Sequence, residues 1–434
     1  MIFGRKRQKA LEDAQLGKRT YWSFAWERFR ENKRAVWSWR VFIFMVFIAI
    51  SGDFWANDKP LYCRIDGKSY VPIVQDYWVK AGWSKWDAKF LNTPWVEQEF
   101  ESVWWPLIPY SSERLDYKNT YAGPFSKQDI PSWRFRHWFG TDDLGRDVAA
   151  GMIAGTRTAL LVGIVAMSIA LVIGLLLGSL AGYFGDDGLK LSRIRIILNV
   201  LGLLAGLFWG FSSRSYAISD GHQVLALLQG LVLLVALILL ANLLAKYVER
   251  SSFWGKEILV PVDLLVIRLI EMVNAIPGLL LILAFVAAIQ EESILFVMLI
   301  IGFLAWTGIA RFVRAELLRI RKMEYIEAAR ALGFGRWHII FRHALPNALG
   351  PVLIALSFGM AGAVLLEATL SFLNIGVPEE QVTWGSLLRE SRSYAKAWWL
   401  TIFPGLAIFL SVTIFNYLGD GLTEALDPRL REKE

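Results

Sequence analysis

Glu367 is the lone charge in the run AVLLEATLSF. A carboxylate facing lipid there would be costly, so it must face a bundle interior, a partner or water. Two roles stay open for it, lining a polar path and hydrogen bonding between subunits. A second polar set, Arg268, Glu271 and Asn274, recurs at i, i+3 and i+6 on one helical face before Pro277; it either projects below a bilayer or lines a path. Covalent chemistry has little to work with. The single Cys63 excludes an intrachain disulfide and any multi-cysteine metal site and reads as inert. The four histidines, His137, His222, His338 and His343, form no readable ligand set, so no metal is expected. No G-x-x-x-x-G-K-[ST] phosphate loop occurs, and any ATP hydrolysis must come from another chain. No catalytic residues are assigned, and the chain is read as a non-enzyme.

The elements that position these residues belong to a polytopic membrane protein. The chain has 434 residues, 55% of them hydrophobic, with a mean hydropathy of +0.41 and its apolar residues gathered into long runs. A spanning helix needs about 20 predominantly apolar residues. Eight candidates follow: Val36–Ile50, Ala159–Phe184, Ile196–Phe211, Gln223–Ala245, Leu264–Ile289, Ile294–Val313, Ala348–Phe372 and Trp398–Leu418.

Charge orients them. Residues 1–34 carry ten basic side chains against four acidic, whereas segment 52–140 is balanced at 11 and 11. Positive charge flanking spans marks the cytoplasmic side, so the N-terminus is expected inside and segment 52–140 outside. The apolar run arrives too late for a cleavable signal peptide. An even number of spans returns the C-terminus, with Arg429, Arg431 and Lys433, to the cytoplasm. Between Arg311 and Arg342 lie eight basic residues against Glu316, Glu324 and Glu327, in agreement with that parity.

Within that loop, EYIEAARALGFGRWHIIFRHALPNALGP has its own grammar. Met323–Leu332 forms helix well, Gly333 can end it in the left-handed conformation, Trp337–Leu345 can form a second helix, and Pro346 stops it. Ala328, Ala329 and Ala331 leave the first helix nearly bare, so another protein can approach its backbone, and Glu327 offers one charge. The plainer reading is a positive-inside loop packed on its own bundle.

Here the order of residues carries a resemblance. Glu327-Ala328-Ala329, Gly333 and Leu345-Pro346 resemble the coupling-loop signature of bacterial ABC import permeases, in which the loop docks in a groove of the ATP-binding subunit. HWFGTDDLGRDV, LLEATLSFLNIGVPEEQVTWGSLL and FPGLAIFLSVTIFNYLGDGLTEALDPRLR resemble the oligopeptide and dipeptide branch. RFRENKRAVWSW with ANDKPLYCRIDGKSYVPI is similar to permeases for microcin C and related oligopeptides. The chain departs from the pattern in an extra hairpin at 190–257, in Glu271 where Asp is usual, and in Asn374 where Gly is usual.

The resemblance implies an all-α permease core of six spans plus the two-span hairpin, in the bacterial inner membrane. It implies a second related permease subunit, two ATP-binding subunits holding ATP and Mg, and an external solute-binding protein, with no cofactor on this chain. Residues 1–35 would be a basic cytoplasmic N-terminus, 36–51 the first span, 52–140 a periplasmic loop or small domain, and 141–189 an interfacial helix and second span. Residues 258–421 would be the core, with the coupling loop at 314–347, and 422–434 a cytoplasmic tail. Gly140–Arg157 reads as an amphipathic interfacial helix that Asp147, Arg146 and Arg157 cap or tether; in the family it borders the external gate. Asp147, Arg146, Glu271, Asn274 and Glu367 are the path or gate candidates. Tryptophans crowd segment 52–140, at 78, 83, 86, 95, 104, 105, 133 and 138, where packing a small domain is favoured over headgroup anchoring or partner contact. The basic clusters lie beside spans and the aromatics mostly elsewhere, so the lipid bilayer, and not nucleic acid, is the expected charged partner. Uptake of peptides or peptide-like compounds is the leading reading. An ion-coupled secondary transporter, or a permease for nickel or glycosides, is the alternative.

Overall fold

A computed structural model describes residues 21–91, 93–186, 188–214, 223–250, 253–289, 292–379 and 381–426. The basic residues at 5–19, most of the hairpin tip and Arg429, Arg431 and Lys433 lie outside them. The main helices are α1 Tyr21–Glu31, α2 Lys33–Trp55, α3 Pro72–Lys80, α4 Val148–Phe184, α5 Arg193–Gly210, α6 Gln223–Val248, α7 Val262–Ala275, α8 Gly278–Ile289, α9 Ile294–Ile320, α10 Glu324–Ala331, α11 Leu345–Phe372, α12 Trp384–Glu390 and α13 Trp399–Leu426. Seven helices are long and apolar enough to cross a membrane, or eight if α7 and α8 count as one bent span. The all-α polytopic class read from the sequence is the class observed.

The fifth span is corrected: the helix expected over Leu264–Ile289 is broken at Ile276–Pro277, between α7 and α8. Pro277 has no N–H and excludes the helical conformation from the residue before it, and Ile276 is accordingly extended, at φ −97 and ψ 130.

The chain divides into two compact units, 1–172 with 278–309 and 350–434, and 173–277 with 310–349. In the first, α2 begins three residues earlier than its apolar run because Asn32 caps it, accepting from Arg34 and Ala35 N–H, while donating to Glu424 on α13 at 2.7 Å. It ends later because Asp53 has partners, Arg157 on α4 at 3.2 Å and the Tyr77 hydroxyl. Arg157 also donates to Ala49 O at 2.9 Å, so it tethers α2 to α4. A core of α2, α4, α11 and α13 side chains includes Leu160, Val364, Ile414 and Phe415.

Segment 56–147 builds a small domain on three antiparallel strands, β1 Tyr62–Ile65, β2 Lys68–Tyr70 and β3 Ser102–Trp104, ordered β2-β1-β3 with Cys63 opposite Tyr70 and Val103. Its core is aromatic: Phe90 stacks on Trp95 at 4.8 Å, and Trp105 and Tyr110 meet Phe135 edge-on. Packing therefore accounts for Trp95 and Trp105, whereas Trp83, Trp104 and Trp133 stay exposed. Cys63 is buried in this core, and burial pushes its thiol up to about 11, consistent with inertness.

In the second unit α5 and α6 form a hairpin closed at its base by strands β4 Lys190–Ser192 and β5 Glu257–Leu259. Gly202, Gly206 and Gly210 line the seam; a Cβ at Gly206 would lie 2.9 Å from Leu234 Cα, so small residues permit the close approach. Asn199 and Asn242 exchange amide hydrogen bonds across the seam, and Glu249 accepts from Ser192 and Arg195. Gly178 and Gly182 of α4 pack on Ala310 and Arg314 carbonyls of α9.

Candidate functional site

The helix–turn–helix is present with one change. Met323 is extended (ψ 144) and opens α10, whose first turn carries Glu324 and Glu327 against the positive end of the helix dipole. Ile326 and Ala329 are buried and hold α10 on the protein, leaving Glu327, Ala328 and Ala331 exposed. Gly333 has φ +82, the expected left-handed conformation. Its N–H bonds Arg330 O at 3.0 Å and Phe334 N–H bonds Ala329 O at 3.2 Å, the paired bonds of a Schellman ending. Nothing lies within 4 Å of a Cβ built there, so the backbone angle alone calls for glycine.

Pro346 does not stop the second helix, which is the correction. Arg336–Ile339 leads through a π turn at Ile340–Ala344 into α11, and Leu345 N–H closes that turn on Ile340 O. The wider turn accommodates a residue with no N–H to give. Leu345 and Pro346 thus lie at the start of α11 itself.

Sequence reasoning missed the large side chains around this turn. Leu332 is 76% exposed, and Phe334, Trp337 and Phe341 are also exposed. The legible signal was their apolar character in a basic loop. Of the loop cations, Arg314 is paired with Asp263 and Arg319 with Glu316.

Glu367 is 1% exposed and is hydrogen-bonded within the chain. Ser371, one turn on, donates to its Oε1 at 2.6 Å, and Thr383 bonds it as well. The approach of α12 depends on Gly385, whose Cβ would lie 2.4 Å from Ala368 O. Trp384 donates from Nε1 to Met152 O of α4 at 3.1 Å. Asn374 has φ +60, so the asparagine in the usual glycine place still takes the left-handed turn.

Gly140–Asp147 forms turns and not an interfacial helix, and α4 runs unbroken from Val148. Asp147 explains the start: its Oδ1 accepts Ala150 N–H at 2.8 Å, and its Oδ2 meets His137 Nδ1 at 2.8 Å. His137 is fully buried, stacks on Tyr110 and reaches Asp116 at 3.4 Å. Arg146 donates to Asp142 at 2.6 Å; burial pushes the Asp142 carboxyl up and Arg146 opposes it. Asp147 and Arg146 therefore hold this corner of the fold. No hydrogen bond or ion pair joins them to Glu367 among the described residues. Glu271 pairs with Arg268 at 2.7 Å on an exposed face of α7, and Asn274 is exposed on the same helix. Among the described residues no group of three or more His, Cys, Asp and Glu side chains could hold a metal ion.

Residues 252–432 match the family model of the binding-protein-dependent transport system inner membrane component, and residues 20–67 that of the N-terminal TM domain of oligopeptide transport permease C. The chain is 30% identical over 332 residues to a dipeptide transport system permease protein of Alkalihalophilus pseudofirmus, covering 76% of this chain and 82% of the relative. It is 28% identical over 411 residues to an inner membrane ABC transporter permease protein of Escherichia coli, covering 93% and 96%. It is also 28% identical over 372 residues to a glutathione transport system permease protein of Pectobacterium atrosepticum, covering 83% and 96%.

Proposed function

Because this chain belongs to the family of binding-protein-dependent transport system inner membrane components, we propose that it forms one half of the translocation path of an ATP-driven importer of peptides or peptide-like compounds. Its partners in this reading are a second permease subunit, two ATP-binding subunits and an external solute-binding protein. The loop Glu324–Leu345 receives the motion of an ATP-binding subunit. The N- and C-termini and this loop share the cytoplasmic side.

One observation carries the coupling role. α10 and the turn after it hold Leu332, Phe334, Trp337 and Phe341 in the open around the exposed Ala328 and Glu327. Four large apolar side chains left exposed on one basic loop are what a protein contact would cover. Gly333 and the π turn fix the two helical pieces that present it, and α11 carries displacement of the loop into a long helix. Relatives named for dipeptides and glutathione support a cargo with peptide bonds, and the cargo is selected by the external binding protein.

Co-purification tests the reading. The tagged full chain, expressed with its neighbouring transport subunits, should bring ATP-binding subunits with it and support ATP-dependent uptake into vesicles. Uptake driven by an ion gradient with no ATPase attached would overturn it.

A further inference from the structure

The second unit contains a cleft of about 620 Å³ whose walls are the last residues of α4, the link after α9 and the α10 helix–turn–helix. Its charge is one-sided. Among the described residues, Arg321, Lys322, Arg330 and Arg336 line it against the single carboxylate of Glu327. Neither Arg321 nor Lys322 has an ion pair among the described residues, in contrast to Arg314 and Arg319 close by. Arg336 spends one donor on Gly188 O at 3.0 Å, and Arg330 lies over the Tyr183 ring at 5.6 Å; neither has an ion pair among the described residues. Asp186, the nearest described acid in sequence to Gly188, is engaged by Leu264 N–H.

The other wall says where the cleft lies. Tyr183 and Phe184 end a helix apolar enough to cross a membrane, and aromatic side chains at the end of a span sit at headgroup level. Basic pockets beside span ends at the cytoplasmic face take lipid phosphates.

We propose that this cleft binds the phosphate of an anionic phospholipid headgroup, such as phosphatidylglycerol, against Arg321, Lys322, Arg330 and Arg336. The placement at the inner leaflet rests on the orientation proposed above; the charge and shape of the cleft do not. Binding there would put a membrane lipid against α10, so the lipid would steady the loop beneath its exposed apolar surface.

Full-length chain with its partner subunits, in phosphatidylcholine nanodiscs with and without phosphatidylglycerol, gives the test by native mass spectrometry of retained lipid. Wild type should keep phosphatidylglycerol in preference to phosphatidylcholine. Replacing Arg321 and Lys322 together by Gln removes two of the four cations and should weaken that retention about 30-fold. Arg268→Gln, which removes an exposed cation outside the cleft, should not. Equal retention by wild type and the double variant, or equal loss in the Arg268 variant, overturns the site. Displacement of the lipid by millimolar inorganic phosphate would make the ligand a free anion and overturn the lipid assignment. ATP-binding subunits are scored in the same spectra. Their absence from wild type refutes the importer reading, whereas loss of lipid preference with those subunits still bound refutes only this one.

Discussion

Replacing Gly333 by valine isolates one physical quantity. The residue has φ +82 and open space where a Cβ would go, so the Cβ meets nothing and the cost worked here is backbone strain. An L-residue in the left-handed region loses about 1–2 kcal/mol, and a β-branched one falls in the upper part of the ~1–3 kcal/mol range for strained backbone. The spans do not depend on this turn, so insertion and expression should be normal. The turn itself should redistribute. At about 2 kcal/mol the equilibrium between the native Schellman ending and its alternatives shifts by about 30-fold, and apparent affinity for a partner that needs the ending drops by up to that factor. Gly333→Asn, tolerated in the left-handed region, should recover most of that loss. The assay is ATP-binding subunit affinity for the permease in nanodiscs, with coupled uptake measured beside it. Valine binding within about threefold of wild type would show that the Gly333 geometry does not present the docking surface.

Ala328→Trp should insert normally, since Ala328 is exposed, yet block the same docking; Glu327→Ala should weaken it only mildly, as an exposed charge pair contributes under about 1 kcal/mol. Glu367→Gln keeps an acceptor for Ser371 and should assemble nearly normally, whereas Glu367→Leu strands buried hydroxyls at about 1–3 kcal/mol and should lower the thermal midpoint and the yield; equal midpoints would remove the carboxylate from the packing account. A cysteine at position 215, after replacement of Cys63, should react with an impermeant thiol reagent from outside intact cells, and labelling only after lysis would reverse the proposed orientation of the hairpin. Burial raises the Asp76 carboxyl, but hydrogen bonds from Lys59 and Lys80 more than reverse this and hold it below its ordinary value. Its contribution is therefore present above the unfolded-state pKa and lost as pH falls through the folded one. Thermal midpoints read on small-domain tryptophans should decline in acid, and Asp76→Asn should flatten that decline; an unchanged slope would refute the assignment.

Hydropathy runs and charge placement are local quantities, and they were enough to mark the spans, the all-α class and the basic loop from the sequence. Gly333 was legible for the same reason: a glycine after an alanine-rich helix is a local signal for the left-handed turn that ends it. The order of motifs was enough to identify the family. What failed to read from sequence was which partner, near or far in the chain, the fold would supply. For Asp147 the sequence did not show that His137 and the N–H of Ala150 would be its hydrogen-bond partners. For Glu367 the sequence left the partner open, and the fold brings Ser371 and Thr383 to its carboxylate, with Gly385 letting α12 approach. Pro346 was read as a helix stop because its missing N–H is visible in the sequence, whereas the π turn that absorbs it is not. A polar residue in an apolar run announces that it needs a partner; only the tertiary structure decides whether that partner is water, another subunit or the chain itself, because hydrogen bonds form between atoms within about 3 Å whatever their separation in sequence.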